Sequence, residues 1–267
     1  MRIDVNVLRA VNNYNSAIRS IGQSIEQLSS GSRITRAASD SSSMVVNAKL
    51  RSQLTGLQQA VRNAQDGFGV LAVADGALGD IFANIMRAHE LAVTSANTGV
   101  KDASARSAYD TEAQDAIQNA DMIAVRTMYA TKTLLDGSYS SQGFMVDDEA
   151  ANVVSVTIAD SRAAALGVTG LDLVGAPAAA INALAGALDT ITSRRAQLGS
   201  LSNRFSATMQ VLQNTVDSLI TATSRVADTD MAQTAGQYHK DRAMVVQGAR
   251  ALDQAMAASV RSLRVLR

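Results

Sequence analysis

The chain reads as a mainly α protein, a long antiparallel helical bundle or coiled coil. Its termini pair as helices, and one small β-hairpin region interrupts it. Three observations predict this. Near the N-terminus Val7, Val11, Tyr14, Ile18, Ile21, Ile25 and Leu28 follow alternating steps of four and three, and near the C-terminus Val245, Ala249, Leu252, Met256, Ser259, Leu263 and Leu266 repeat those steps. Between them Leu54, Leu57, Val61, Ala64, Phe68, Leu71, Asp75, Leu78, Phe82 and Ile85 step the same way through ten positions, longer than an ordinary globular helix needs. Finally, hydrophobic residues make up 47% of the 267 residues but aromatics only 3%, with no Trp. Thin helical bundles with small seam residues tolerate that shortage of rings; compact cores usually do not.

The elements follow in order. Residues 4–30 form one amphipathic helix of about 39 Å, stopped at Ser29-Ser30-Gly31. The Ser-rich stretch 31–43 is a loop with short turns. A long helix covers about 44–97 and ends at Asn97-Thr98-Gly99; a third covers 103–129. Phe144-Met145-Val146 and Val153 to Ile158 flank Asp147-Asp148-Glu149, two β-rich runs around a polar turn, so 138–160 is a hairpin. The only proline, Pro177, opens the next helix at a favoured position. That helix runs to 227 on a seam through Leu198, Leu201, Phe205, Thr208, Leu212, Thr215, Leu219, Ala222 and Val226, and a terminal helix covers about 230–265. The expected organisation is an inner domain built from 1–43 and 228–267. A rod-like helical domain lies between, 44–227, with its hairpin region at about 138–176.

Net charge is zero but unevenly spread: residues 1–51 hold seven Lys/Arg against three Asp/Glu, and residues 236–267 hold six against two. Each end is about +4 and the middle about −8. No dense basic run with interleaved aromatics accompanies the charge, which argues against nucleic acid. With no cysteine, disulfides and thiolate metal sites are excluded. Met1-Arg2-Ile3-Asp4-Val5-Asn6 has no apolar core segment or cleavage site, so no conventional secretory signal is expected. No apolar run approaches the roughly 20 residues of a membrane span, so no membrane insertion is expected either.

A helix seam open to water is unfavourable. The simplest partners for the two terminal seams are each other and then copies of the same chain, which makes this an assembly protein. The expected assembly residues are Val7, Val11, Ile18, Ile21, Ile25, Leu28, Val245, Leu252, Met256, Leu263 and Leu266.

At this level of detail the residues resemble bacterial flagellin. Ile25-Glu-Gln-Leu-Ser-Ser-Gly-Ser-Arg-Ile34 is similar to the family's ERLSSGLRI block, and Ala38-Ser-Asp-Ser-Ser42 continues it. Leu57 to Leu78, Ile85 to Asn97, Leu201-Ser-Asn-Arg-Phe205, Asp217 to Asp230 and the closing Ser262-Leu-Arg-Val-Leu-Arg267 match further blocks. Together they cover nearly everything except 136–177. The resemblance implies a short flagellin without large outer domains, whose subunits polymerise into an extracellular flagellar filament for motility. It also implies partners: the export apparatus and its chaperone, the filament cap and hook-junction proteins. A hook–filament junction protein shares the terminal pattern and is the alternative reading; a basic helical nucleic-acid module is a second, of another class. By alignment, Arg87, Leu91 and Glu112 match flagellin residues contacted by the vertebrate flagellin-sensing receptor, Toll-like receptor 5.

Chemistry-bearing motifs are few. Gly67-Phe68-Gly69-Val70-Leu71-Ala72 fits a dinucleotide fingerprint, but a helical seam runs through it and no strand feeds it, so it reads as packing. Asp147-Asp148-Glu149 marks a solvated turn. His89 and His239 stand without a metal-ligand cluster, and no serine sits in a nucleophile elbow. Neither catalysis nor a cofactor nor a metal is expected.

Overall fold

The computed structural model describes residues 2–147 and 152–265, without the side chains of residues 2–4, 6 and 258–265. The elements are α1 (Arg2–Ser30), α2 (Ser41–Ser95), α3 (Ala103–Arg126), β1 (Met128–Tyr129), β2 (Lys132–Thr133), β3 (Gln142–Met145), β4 (Val153–Val156), α4 (Pro177–Ala227) and α5 (Met231–Val265). The chain divides into two compact units, Met1–Leu54 with Asp217–Arg267, and Thr55–Val216. The unit boundaries fall inside α2 and α4.

In the terminal unit α1 packs along α5. Gly31 ends α1 in the left-handed region, φ 67°, and its amide donates to Gln27 O at 2.9 Å, a cap open to glycine at no steric cost. The chain then forms a single antiparallel bridge, Ser32 to Asp228. Arg33 N donates to Ala227 O at 2.7 Å and Thr229 N to Gly31 O at 2.9 Å. Aspartates cap the helices that begin here. Asp40 accepts from Ser43 N at 3.0 Å for α2, and Asp230 accepts from Gln233 N at 3.0 Å for α5. Each satisfies an amide that has no carbonyl inside its helix.

The middle unit has a conventional core. Leu71, Leu78, Ile81 and Ile85 of α2, Leu134 and Leu135 after β2, Leu184, Ile191 and Phe205 of α4 are all fully buried. Buried Ala60, Ala64, Ala74, Ala88, Ala113, Ala120 and Ala124 keep the helix contacts thin, which accounts for the low aromatic content. The Gly67 motif is packing, as expected. A Cβ at Gly67 would lie 2.8 Å from the Phe205 ring and 3.2 Å from Phe144, and those rings meet edge to face with centroids 5.7 Å apart.

The hairpin β3–β4 pairs Gln142 with Val156 and Met145 with Val153; the Asp148-Glu149 tip lies outside the described residues. A second, shorter pair, β1–β2, was not expected. Its strands have two residues each, too few for an alternation to register. It shortens α3 to Arg126 rather than 129. Helix α2 starts and stops slightly earlier than read. It is also long and apolar enough, by composition, to cross a membrane, contrary to the sequence reading; Leu57, Val70, Leu71, Leu78, Ile81, Ile85 and Leu91 line the core just described, while Phe68, Val73, Met86 and Val93 are exposed.

Candidate functional site

The terminal pair is antiparallel. Ser20 Oγ donates to Asp241 Oδ2 at 2.5 Å, and the backbone of Gly248, seven residues later, faces Tyr14, six residues earlier. Its seam is not the stripe the sequence favoured. Of the expected assembly residues, Ile18 is 44% exposed, Ile25 50% and Met256 51%, while Ala17 and Ser24 are buried. Val7, Val11, Ile21, Leu28, Val245 and Leu252 are half-buried. The observed seam on α1 therefore runs Val7, Ala10, Tyr14, Ala17, Ile21, Ser24, Leu28. On α5 it runs Thr234, Tyr238, Asp241, Val245, Gly248, Leu252, Ala255. The stripes share half their positions: on α1 Ala17 and Ser24 are buried where Ile18 and Ile25 are exposed, and on α5 Ala255 is half-buried where Met256 is exposed. The reason is close approach: Ala17, Ser24 and Gly248 let the backbones come together where Ile18, Ile25 and Met256 would hold them apart. The Leu263 side chain and Leu266 lie outside the described residues.

The rotation makes the two flanks of the pair unlike. In an antiparallel heptad pair, residues one position after the seam share one flank and residues one position before share the other. On α1 the first flank carries Leu8, Val11, Ile18 and Ile25, of which Leu8, Ile18 and Ile25 are exposed large hydrophobics, with exposed Asn15, Gly22 and Ser29 between them. On α5 it carries exposed Val246 and Met256 together with exposed His239, Arg242 and Asp253. The second flank carries Asn13, Ser16 and Gln23 with Lys240, Gln247 and Gln254, all exposed, and exposed Met244. The large aliphatic side chains thus gather on the α1 edge of the first flank, and exposed apolar side chains gathered in this way mark an interaction surface.

One carboxylate sits in the seam. Asp241 is 1% exposed, and its carboxylate accepts from Ser20 Oγ and from Gln237 Nε2 at 2.9 Å. Neither donor is charged. Heptad counting over apolar residues had no means of finding it.

The residues matched to receptor recognition separate. Arg87 donates through Nη2 to Glu112 Oε1 at 2.6 Å and approaches Glu90 at 3.4 Å. The Glu112 carboxylate, foremost, holds the Arg87 guanidinium pKa above its ordinary value. All three charged groups are exposed. Leu91 is not: at 4% exposure it is a core residue, one turn from Arg87 but turned inward, so it does not contribute to the exposed patch that Arg87 and Glu112 form. His89 is half-buried and His239 exposed. Among the described residues no group of three or more His, Cys, Asp or Glu is placed to hold a metal ion.

A structural cluster around Arg106 was also missed. Its guanidinium donates to Ser95 O at 3.0 Å and to Val174 O, while Ser95 Oγ donates to Leu173 O at 2.7 Å. It ties the irregular segment before α4 to the end of α2.

Comparison with known proteins identifies the family. The model of the bacterial flagellin N-terminal helical region matches residues 4–140, and that of the C-terminal helical region matches 181–263. The chain belongs to the flagellin family. It is 31% identical to a flagellin of Bacillus subtilis, over 90% of this chain and 91% of that protein. It is 32% identical to flagellin FlaB2 of Treponema pallidum, over 93% of each. The same identity holds with the 33 kDa flagellar filament core protein of Treponema phagedenis, over 93% of each. The crystal structure of Bacillus cereus flagellin is similar with a TM-score of 0.52 and 25% identity, over 56% of this chain and 88% of that one. A Vibrio parahaemolyticus structure assigned to a flagellar hook-associated protein has a TM-score of 0.61, over 71% of this chain and all of that one. At 9% identity it shows the fold alone. As a short flagellin, this chain is a structural subunit that polymerises into the flagellar filament, and the filament is where it resides.

Proposed function

We propose that the terminal helix pair is the polymerising element of this flagellin. Copies dock through the flank that carries Leu8, Val11, Ile18, Ile25, Val246 and Met256. The observation that carries this is on α1: Leu8, Ile18 and Ile25 are exposed on one edge of its seam while Asn13, Ser16 and Gln23 line the other, and a solvated helix has no reason to collect its large aliphatic side chains on one side. A second copy is the occupant, because the family's subunits assemble with themselves. A heterologous contact between copies that does not close on itself generates an open helical polymer. On this reading 1–43 and 228–267 are the two halves of the inner filament domain, and 44–227 is the rod.

Finer partners follow from the family. The subunit leaves the cell through the flagellar export apparatus with a chaperone. It meets cap and hook-junction proteins in the extracellular filament. Arg87 with Glu112 would present the receptor-facing patch for Toll-like receptor 5, with Leu91 supporting it from the core. Nucleic acid, membrane insertion, catalysis and cofactors have no part in this function. The hook–filament junction role remains the competing reading within the flagellum, and is told apart by whether the chain alone forms long filaments.

The test is deletion of residues 1–30 or of 240–267. Either truncation is expected to leave a soluble, cooperatively unfolding middle that forms no filaments by electron microscopy. Normal filaments from either truncation would contradict the reading.

A further inference from the structure

Asp241 is an unexpected residue in a polymerising seam. A carboxylate at 1% exposure held by two neutral donors loses hydration that Ser20 and Gln237 only partly replace. An apolar side chain there would make a tighter helix pair. The backbone bridge at Ser32–Asp228 anchors one end of the pair, but Asp241 lies 13 residues further on, about 15 Å of it along α5. Around Asp241 the residues Tyr14, Ile21, Tyr238 and Val245 lie in the seam in either of two rotations and do not choose between them.

Two rotations compete. In the observed one, Ala17, Ser24, Asp241 and Gly248 face inward. In the other, which keeps Val7, Tyr14, Ile21, Val245 and Leu252 in the seam, Ile18, Ile25, Ala249 and Met256 would face inward, while Leu8 and Val246 would stay on the flank. On apolar area the second wins. It would also swing the Asp241 carboxylate off Ser20 and bring exposed Arg242 toward the seam.

We propose that Asp241 is a positioning residue for polymerisation: through Ser20 and Gln237 it holds α5 in the rotation that leaves Ile18, Ile25 and Met256 outside. This inference rests on the polymerisation reading above. The carboxylate makes the pair less self-sufficient and keeps the apolar flank available for a second copy.

The full-length chain has no cysteine, so introduced pairs report the rotation without background. Ala17→Cys with Val245→Cys reads the observed rotation; Ile18→Cys with Val245→Cys reads the alternative. In the otherwise unchanged chain the first disulfide should dominate by at least about tenfold, because the alternative leaves the carboxylate without its donors. Asp241→Leu should move the dominant disulfide to the second pair and raise the critical concentration for polymerisation. Asp241→Asn keeps hydrogen-bonding capacity toward both partners, since the Ser20 hydroxyl and the Gln237 amide can each turn, and should retain the first pair and near-normal assembly. A general loss of folding would lower both disulfides together and would not be rescued by Asn; that outcome overturns the proposal. So does Asp241→Leu retaining the first pair, or an otherwise unchanged chain that forms neither. If the disulfides shift as expected while the parent chain fails to polymerise, the polymerisation reading fails and the rotation assignment stands.

Discussion

Residues 55–216 and the terminal unit are both made of long helices, yet they treat apolar side chains in opposite ways. In the middle unit Leu71, Leu78, Ile81, Ile85, Ile191 and Phe205 are fully buried, with rings and alanines interleaved. In the terminal unit three large aliphatics of α1, Leu8, Ile18 and Ile25, stay in solvent while Ala17 and Ser24 join Ile21 and Leu28 in the seam. Composition does not separate the two, since both are rich in Leu, Ile, Val and Ala. Rotation does. One unit spends its apolar surface within the chain, and the other turns the richer stripe outward.

The comparison can be broken first at Phe205. Truncation to Ala removes a fully buried ring that also meets Phe144, so the middle unit should lose about 3–5 kcal/mol, read by chemical denaturation of the monomer. A loss under about 1 kcal/mol would mean that this core is not close-packed. Gly67→Ala acts on the same contact from the other side. Its Cβ would sit 2.8 Å from the Phe205 ring, and overpacking of this sort costs about 1–3 kcal/mol. A stabilised Gly67→Ala protein, as helix propensity alone would give, would show that the ring moves freely.

Smaller effects sharpen the contrast. Arg195 holds Asp75 at 2.9 Å across α4 and α2, with both side chains over 40% exposed. Asp75→Asn should therefore cost no more than about 1 kcal/mol and less in high salt. A larger, salt-independent loss would place the pair in the core. In the turn after β2, hydrogen bonds from Ser138 and Thr133 lower the Asp136 pKa from 3.8 to about 2. A depressed carboxylate pKa adds stability that is present above its unfolded value and is lost as pH falls through the folded one. The turn should thus weaken between about pH 4 and pH 2, and Asp136→Asn should flatten that part of the pH profile. An unchanged acid limb would show that the turn does not contribute.

Most of the fold was legible in the residues. Periodicity located all five helices to within a few residues, Pro177 opened α4 where expected, and Val153 to Val156 formed the second strand of the hairpin. The collinear blocks from Ile25 to Phe205 pointed to the family. What escaped reading was rotation. The two candidate stripes on α1 share Val7, Tyr14, Ile21 and Leu28 and differ only at 10/11, 17/18 and 24/25. Counting apolar residues picks Val11, Ile18 and Ile25, whereas the choice depends on how closely α5 approaches and on a hydrogen bond from Ser20 to Asp241, 221 residues away. Leu91 failed for the same reason: alignment supplied the position but not the direction it faces. The Arg106 cluster binds backbone carbonyls, which leave no side-chain pattern to find.

The central claim is that the flank bearing Ile18 and Ile25 serves other copies and not the fold of the subunit. The most direct measurement compares Ile18→Asp/Ile25→Asp with the parent in two assays on one preparation: thermal unfolding of the free subunit and the critical concentration for polymerisation. Both side chains are at least 44% exposed, so unfolding should stay within about 1 kcal/mol of the parent for the pair of substitutions. Burying the new carboxylates between copies should raise the critical concentration at least about a hundredfold. A variant that unfolds early but polymerises at the parental concentration would contradict the account.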